Sequence, residues 1–466
     1  MKSKIVFAAT SGVLLWASFA PLQLWPAAFL GLGLLFWVLV DLPFAQRFRL
    51  TFTAGFTFFS ILLHWSSTYV GAVPWLILAM GQSLIFSLLA ILPIKRSFNG
   101  VLLFGAGFLL LELVRMKLPF GGFGWGRIGF TQVESFGSSY ALLGVSGISL
   151  MVALCSAICV LKPRFFTLLP IAVILSALIS PSSAVSDDGF KIIAVQGGVD
   201  QLGFDYNDRA IRILDRHIAA TPINTDADLI LWPENSVDVD PRTNNLAQTR
   251  LETMFNQLDS HLLTGTVEQS TKGPINASNL YNPEGVVVSS YQKQDLAPFG
   301  EYIPMRWLAE LISPYAKQVR DFVPGTKWSP HQVGNWRFQS FICFEVLDDD
   351  HVRAGAEGMD FLVAQTNNAT FGDSAQAAQQ LQITRARAAE IGKDFAVVST
   401  TGYSAHIDEN GRVVQSAQKF EPTALSMTVN KASSESLASN VGSRFWLILT
   451  ALMLALGLRT RWVFIR

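Results

Sequence analysis

The fold class this sequence predicts is a polytopic α-helical membrane domain joined to a separate α/β domain, and three observations predict it. Half of the 466 residues are hydrophobic, and the excess is uneven. Residues 1–183 and 444–463 hold nearly all the long apolar runs, whereas residues 187–440 have an ordinary charged composition punctuated by Gly and Pro. Within that middle segment, strand-like runs alternate with helical patterns, the order of a layered α/β domain. The chain therefore reads as about seven N-terminal transmembrane helices over 1–183, an α/β domain over 187–440 and a last transmembrane helix over 444–463.

A bilayer core takes about 20 apolar residues per helix. The candidate helices cover residues 5–20, 22–40, 51–71, 74–94, 101–114, 138–160, 165–179 and 445–458. Lys2 and Lys4, Arg47 and Arg49, Lys95 and Arg96, Lys162 and Arg164, and Arg459, Arg461 and Arg466 flank alternate helix ends, as cytoplasmic loops do. Arg115, Lys117 and Arg127 fall in an opposite-side loop. With the N-terminus inside, the α/β domain emerges on the extracytoplasmic face. Met1 to Ala20 has a basic start and an Ala-Ser-Phe-Ala stretch before Pro21, but Pro after a cleavage site is unfavourable and further helices follow at once, so it reads as the first anchor.

The loop containing Phe120-Gly121-Gly122-Phe123-Gly124-Trp125-Gly126 has the composition of an interfacial aromatic belt, or of a re-entrant platform that admits a lipid chain. Glu112 and Arg115 read as a buried pair or as snorkelling charges.

In the middle segment, residues 191–196, 228–232, 261–266, 337–342, 360–365 and 394–399 read as strands. Residues 208–220 and 374–391 read as helices, the second with Asp373 or Ser374 as N-cap and Gly392 as stop. The 35 basic residues balance the 35 acidic ones, so no global field favours nucleic acid. Cys155 and Cys159 lie four apart in an apolar helix and read as packing residues. Cys343 is alone in the middle segment, so no disulfide framework is expected there. The six histidines lack metal-ligand spacing, and no metal or cofactor is expected.

Three reactive side chains gather at or near strand ends in this segment. Glu234 follows Trp232-Pro233, Lys293 stands in Tyr291-Gln292-Lys293-Gln294-Asp295, and Cys343 stands in Phe341-Ile342-Cys343-Phe344-Glu345. A thiolate attacks an ester carbonyl, a nearby carboxylate takes its proton and returns it to the leaving group, and a fixed ammonium stabilises the oxyanion. Each also has a bland alternative: Cys343 as a small buried hydrophobe, Glu234 as a turn residue, Lys293 as a solvated strand-end charge. Together, and tethered to a bilayer, they point to acyl transfer with lipid as a substrate. A further segment, Met305-Arg306-Trp307-Leu308-Ala309-Glu310-Leu311-Ile312, spaces its apolar residues as a helix face, either packed or dipping into the outer leaflet as a lid.

The motifs Gln196-Gly197, Trp232-Pro233-Glu234, Lys293 with Pro298-Phe299-Gly300-Glu301, Cys343-Phe344-Glu345, Thr366-Asn367-Asn368-Ala369-Thr370-Phe371-Gly372 and Arg385-Ala386-Arg387-Ala388-Ala389-Glu390 resemble those of the carbon-nitrogen hydrolase (nitrilase) superfamily. With helices on both flanks, the chain resembles its membrane branch, the bacterial apolipoprotein N-acyltransferases. The resemblance implies an α-β-β-α sandwich, Glu234, Lys293 and Cys343 as the catalytic set, and Glu301 and Glu345 in support. It further implies transfer of an acyl chain from a membrane phospholipid, through a Cys343 thioester, to the α-amino group of a diacylglyceryl-cysteine apolipoprotein. The chain departs from the pattern at Asn368, where many members carry Asp, and at Thr370, where many carry Trp, which puts substrate preference in question. Two other readings stay open: a membrane-anchored amidase, and a polytopic scaffold or transporter with an inactive nitrilase-like domain.

Overall fold

The computed structural model describes residues 1–167, 171, 173–176, 189–198, 206–312, 314–317, 319–432 and 435–459. Part of the expected helix over 165–179, the linker before residue 189 and the C-terminal Arg461 and Arg466 lie outside these residues. The chain divides into two compact units, Met1–Pro181 with Ser436–Arg466, and Ser182–Glu435.

The first unit is helical. Its main helices are Lys2–Ala17, Trp25–Leu39, Phe44–Leu62, Ala72–Ser87, Phe98–Lys117, Val133–Leu161 and Ser443–Arg459. Among the described residues, three spans are long and apolar enough to cross a membrane: Ala72–Ile91, Phe98–Lys117 and Val133–Leu161. Ile77, Met80, Leu84 and Leu88, and on the last helix Ile448, Leu452 and Leu456, point outward and are exposed. A face of that composition suits hydrocarbon rather than water. Inside, small residues let helices approach closely, as in lipid-embedded bundles. A Cβ on Gly147 would lie 2.5 Å from the Trp446 ring.

Three expectations for this unit are corrected. Arg47 is not a loop charge: the helix starts at Phe44, and Arg47 is buried in it, donating to the carbonyls of Ala90 (3.0 Å) and Leu42. Glu112 does not pair with Arg115. Its carboxylate accepts from the Ile128 N–H at 2.7 Å and lies 3.9 Å from Arg127, whereas Arg115 donates to Gln82 and to the Trp125 carbonyl. The aromatic loop is only partly an exposed belt: Trp125 and Phe130 are buried within the unit, while Phe120 stays exposed. For the charges the cause is that a buried charge needs fixed hydrogen-bond partners, which the carbonyls of Ala90, Leu42 and Trp125, the Gln82 side chain and the Ile128 N–H supply.

The second unit is a pair of six-stranded sheets. One has the order β12-β1-β2-β3-β4-β5, built from Phe190–Gln196 (β1), Leu229–Leu231 (β2), His261–Ser270 (β3), Gly273–Tyr281 (β4), Val287–Gln292 (β5) and Thr423–Val429 (β12). The other has the order β11-β10-β9-β8-β7-β6, built from His331–Val333 (β6), Trp336–Ile342 (β7), Phe361–Thr366 (β8), Phe395–Ser399 (β9), Ala405–Ile407 (β10) and Val413–Ser416 (β11). In each sheet three central strands run parallel, β1-β2-β3 and β7-β8-β9, with antiparallel strands outside them. Apolar residues of both sheets face each other in one core, including Ile192, Leu231, Leu263, Phe338, Val363 and Val398. On the outer face of the first sheet, Ile193, Ile230 and Leu262 pack against Ala210 and Leu214 of helix Tyr206–Ala220 and Leu251 and Met254 of helix Asn245–Phe255.

All six expected strands and both expected helices are present, with shifted ends. The second helix spans Gln376–Ile391 and its N-cap is Ala375, not Asp373 or Ser374. Asp373 instead pairs with Lys419. Gly392 ends the helix in the left-handed conformation (φ +72°), as its lack of a Cβ allows.

Candidate active site

Parallel strands place their C-terminal ends along one edge, and the residues just past those ends converge. Glu234 follows β2, Cys343 follows β7, Asn367 follows β8, and Lys293 follows the antiparallel β5. Cross-sheet hydrogen bonds hold the edges together. Ser278 of β4 donates to Ser340 of β7 at 3.0 Å, Gln365 donates to the Trp232 carbonyl at 2.7 Å, and the Asn367 N–H donates to Glu234 at 2.9 Å.

Lys293 is the hub. Its ammonium lies 2.8 Å from Glu301 and 3.2 Å from Glu234, and it is 2% exposed. Asn276 of β4 donates to both carboxylates, at 2.8 Å to Glu234 and 3.0 Å to Glu301, and the Ala297 N–H donates to Glu301 at 2.8 Å. Desolvating each of these ions costs several kcal/mol, which only a well-paired and hydrogen-bonded arrangement offsets. Burial alone would lower the Lys293 pKa, but Glu234, Glu301 and Cys343 outweigh it and hold the ammonium above the ordinary lysine value. Burial raises the Glu234 carboxyl, against the pull of Lys293 and with the push of Glu301.

Cys343 is electrostatically coupled to all three charges. Burial, with Glu234 and Glu301, pushes its thiol up to about 12 against the opposing pull of Lys293 and Gln380. A neutral thiol beside a carboxylate with raised proton affinity suits transfer of the proton as the sulfur attacks, rather than a standing thiolate. The backbone of Cys343 sits at φ +54°, a region that a residue with a side chain occupies only when its surroundings enforce it.

Glu345 is part of that enforcement. Fully buried, it accepts from the Ile342 N–H (2.7 Å), the Gln294 N–H (2.8 Å) and the Tyr291 hydroxyl (2.7 Å), and lies 3.3 Å from His351. It therefore ties the turn at Cys343 to the segment bearing Lys293. Burial would raise its pKa, but the hydrogen bond and charge of His351 and the backbone donors win and lower it. The structure thus brings Glu234, Lys293, Glu301, Cys343 and Glu345 into one connected cluster. Among the described residues no group of three or more His, Cys, Asp or Glu is placed to hold a metal ion.

Two residues of the cluster went unread in the sequence. Asn276 lies on a strand whose Gly273-Pro274 start hid it, although Ile275-Asn276-Ala277-Ser278 alternates. Gln380 lies among several Gln on its helix, whose side-chain amides carry no charge to draw notice.

Residues 198–438 match the Carbon-nitrogen hydrolase family and residues 11–158 match the Apolipoprotein N-acyltransferase N-terminal domain. The apolipoprotein N-acyltransferase of Mycolicibacterium smegmatis is 30% identical over 89% of this chain and 78% of its own. The chain belongs to the apolipoprotein N-acyltransferase family. Membership makes it a membrane-associated acyltransferase built on a carbon-nitrogen hydrolase domain. The apolipoprotein N-acyltransferase of Pasteurella multocida is 27% identical over 92% of this chain and 90% of its own. Among solved structures, a CN-hydrolase superfamily protein from Xanthomonas campestris aligns with 52% of this chain and 91% of its own at 18% identity, with a TM-score of 0.39.

Proposed function

We propose that this chain N-acylates apolipoproteins in two steps at Cys343, drawing the acyl group from a membrane phospholipid. The observation that carries the residue assignment is the buried Glu234–Lys293–Glu301 cluster electrostatically coupled to Cys343. In the first step Glu234 takes the thiol proton as the sulfur attacks the ester carbonyl, and Lys293 stabilises the developing oxyanion. The C–O bond breaks, Glu234 returns the proton to the departing lysophospholipid, and an acyl thioester remains on Cys343. In the second step the α-amino group of a diacylglyceryl-cysteine attacks the thioester, Glu234 receives the amine proton, and the thiol is restored. Glu301 holds Lys293 in place, and Glu345 holds the turn that bears the nucleophile.

The apolar first unit supports placing this chemistry at a bilayer. In this reading residues 1–183 form about seven membrane helices, 187–440 the catalytic domain and 444–463 a returning helix, with the domain on the extracytoplasmic face of the cell membrane. The alternation of basic flanks supports that orientation, with the weight of Arg47 removed.

The test is the intact mass of the purified protein after exposure to phospholipid vesicles. An acyl-sized increase that hydroxylamine removes, and that an added diacylglyceryl-cysteine peptide discharges as an amide, is expected. Discharge to water with the peptide left unmodified would favour a membrane-anchored amidase.

A further inference from the structure

Behind Cys343 a buried chain of hydrogen bonds runs in one direction. Gln380, on helix Gln376–Ile391, donates from Nε2 to the Cys343 carbonyl at 3.1 Å and approaches the Cys343 sulfur at 3.6 Å. Its Oε1 accepts from Asn368 Nδ2 at 2.9 Å and from Gln376 Nε2 at 3.0 Å. Asn368 Nδ2 also donates to Gln376 Oε1 at 2.6 Å. On its other side, Asn368 Oδ1 accepts from the Ser399 hydroxyl at 2.6 Å, and Ser399 Oγ accepts from the Gly402 N–H at 2.8 Å.

Neither end of this chain can be reversed. A backbone N–H only donates, so Ser399, having accepted from Gly402, passes its own proton to Asn368. A carbonyl only accepts, so Gln380 must turn its amide nitrogen toward Cys343. Asn368 joins the two halves, accepting on one side and donating on the other. An amide does both, whereas a carboxylate has no donor to offer Gln380. Asn368, Gln376, Gln380 and Ser399 are all buried, so water does not substitute for a lost partner, and an unmet group carries its full desolvation penalty.

We infer that Asn368 and Gln380 are positioning residues for Cys343, with Asn368 fixing the orientation of the Gln380 amide so that its donor holds the carbonyl and sulfur of the nucleophile in the left-handed turn. The sulfur carries more negative charge as it ionises, so a fixed donor beside it favours the reacting form. The relevance to acyl transfer rests on Cys343 being the nucleophile, but the effect on the thiol does not.

The test is the rate of iodoacetamide alkylation of Cys343, followed by intact mass on the full chain in detergent between about pH 7 and about pH 10, with Cys155→Ala and Cys159→Ala as background. Gln380→Met keeps the volume and removes the donor. Asn368→Asp keeps the shape, removes the donor to Gln380 and sets an anionic oxygen against the Gln380 oxygen, so that the amide no longer holds its place. Both variants should alkylate about tenfold more slowly at a given pH, with the profile displaced upward by about one unit. An unchanged profile in Gln380→Met overturns the inference, and an unchanged profile in Asn368→Asp removes Asn368 from it. If Asn368→Asp does not fold, Gln380→Met decides alone. Retained acyl transfer in Cys343→Ser would sink the proposed function while leaving the alkylation result standing, so the two failures are distinguishable.

Discussion

Lys293 lies 2.8 Å from Glu301. Glu301 is itself held by the N–H of Ala297, so the ammonium is anchored by a carboxylate that the loop fixes, and it lies 3.2 Å from Glu234, whose other oxygen accepts from the Asn367 N–H.

Glu234→Gln and Lys293→Ala should each slow thioester formation by about a hundredfold or more, the scale of a positioned base or oxyanion donor. Rapid-quench mass spectrometry of the first step checks this. Normal thioester formation with a failed second step would show that the residue acts on the amine and not on the thiol.

Glu301→Gln should be milder, about tenfold, because Glu234 still pairs with the ammonium. Glu301→Ala should cost more, since the Ala297 N–H loses its acceptor as well. Equal losses in the two variants would mean that charge alone, and not the loop's geometry, matters.

Cys343→Ser should abolish turnover in a protein that is still folded, because a hydroxyl is a far weaker nucleophile than a thiol with the same base. Cys155→Ala with Cys159→Ala should leave transfer intact. Near-normal transfer by Cys343→Ser would take Cys343 out of the mechanism.

The Glu345–His351 pair makes a pH prediction. Burial lowers the His351 pKa, but the hydrogen bond and charge of Glu345 outweigh it and raise it above 6.5, so its stabilisation is complete below about 6.5 and is lost as pH rises through the raised value. Glu345 is depressed below 4.5, so its contribution is complete above about 4.5 and is lost as pH falls through the lowered value. Thermal unfolding followed by tryptophan fluorescence should therefore weaken on both sides of this window. In His351→Gln the alkaline loss should flatten; an unchanged alkaline limb would assign it to another group.

Trp307 and Leu311, on the helix Arg306–Ile312, are 70% and 79% exposed, against the packed alternative for this segment and in line with a lid that enters lipid. Replacing both by Ser should weaken use of vesicle-borne phospholipid more than use of a detergent-dispersed short-chain ester. Equal losses on both substrates would sink the lid.

Much of the site was legible because acyl transfer constrains residue type strongly. Trp232-Pro233-Glu234 and Cys343-Phe344-Glu345 each follow a run that reads as a strand, and the parallel strands were the easiest to read, being buried on both faces and largely apolar. The edge strands were not. Residues Val287, Val288, Val413 and Val414 are exposed, and β6 and β10 have three residues each, too few for any period to show.

The sequence by itself determined the two-part architecture, the apolar helical character of the N-terminal part and the residues proposed as reactive groups, because these follow from composition and local pattern. The tertiary structure alone decided partnership. Glu112 turns to the loop's Ile128 and Arg127 and not to Arg115 three residues away, Asn276 reaches both carboxylates from a strand that no local signal announced, and Gln380 meets Cys343 across 37 residues of chain. A buried polar group takes whichever partner satisfies its geometry once water is gone, and that partner is set by how sheets and helices stack, which no local spacing encodes.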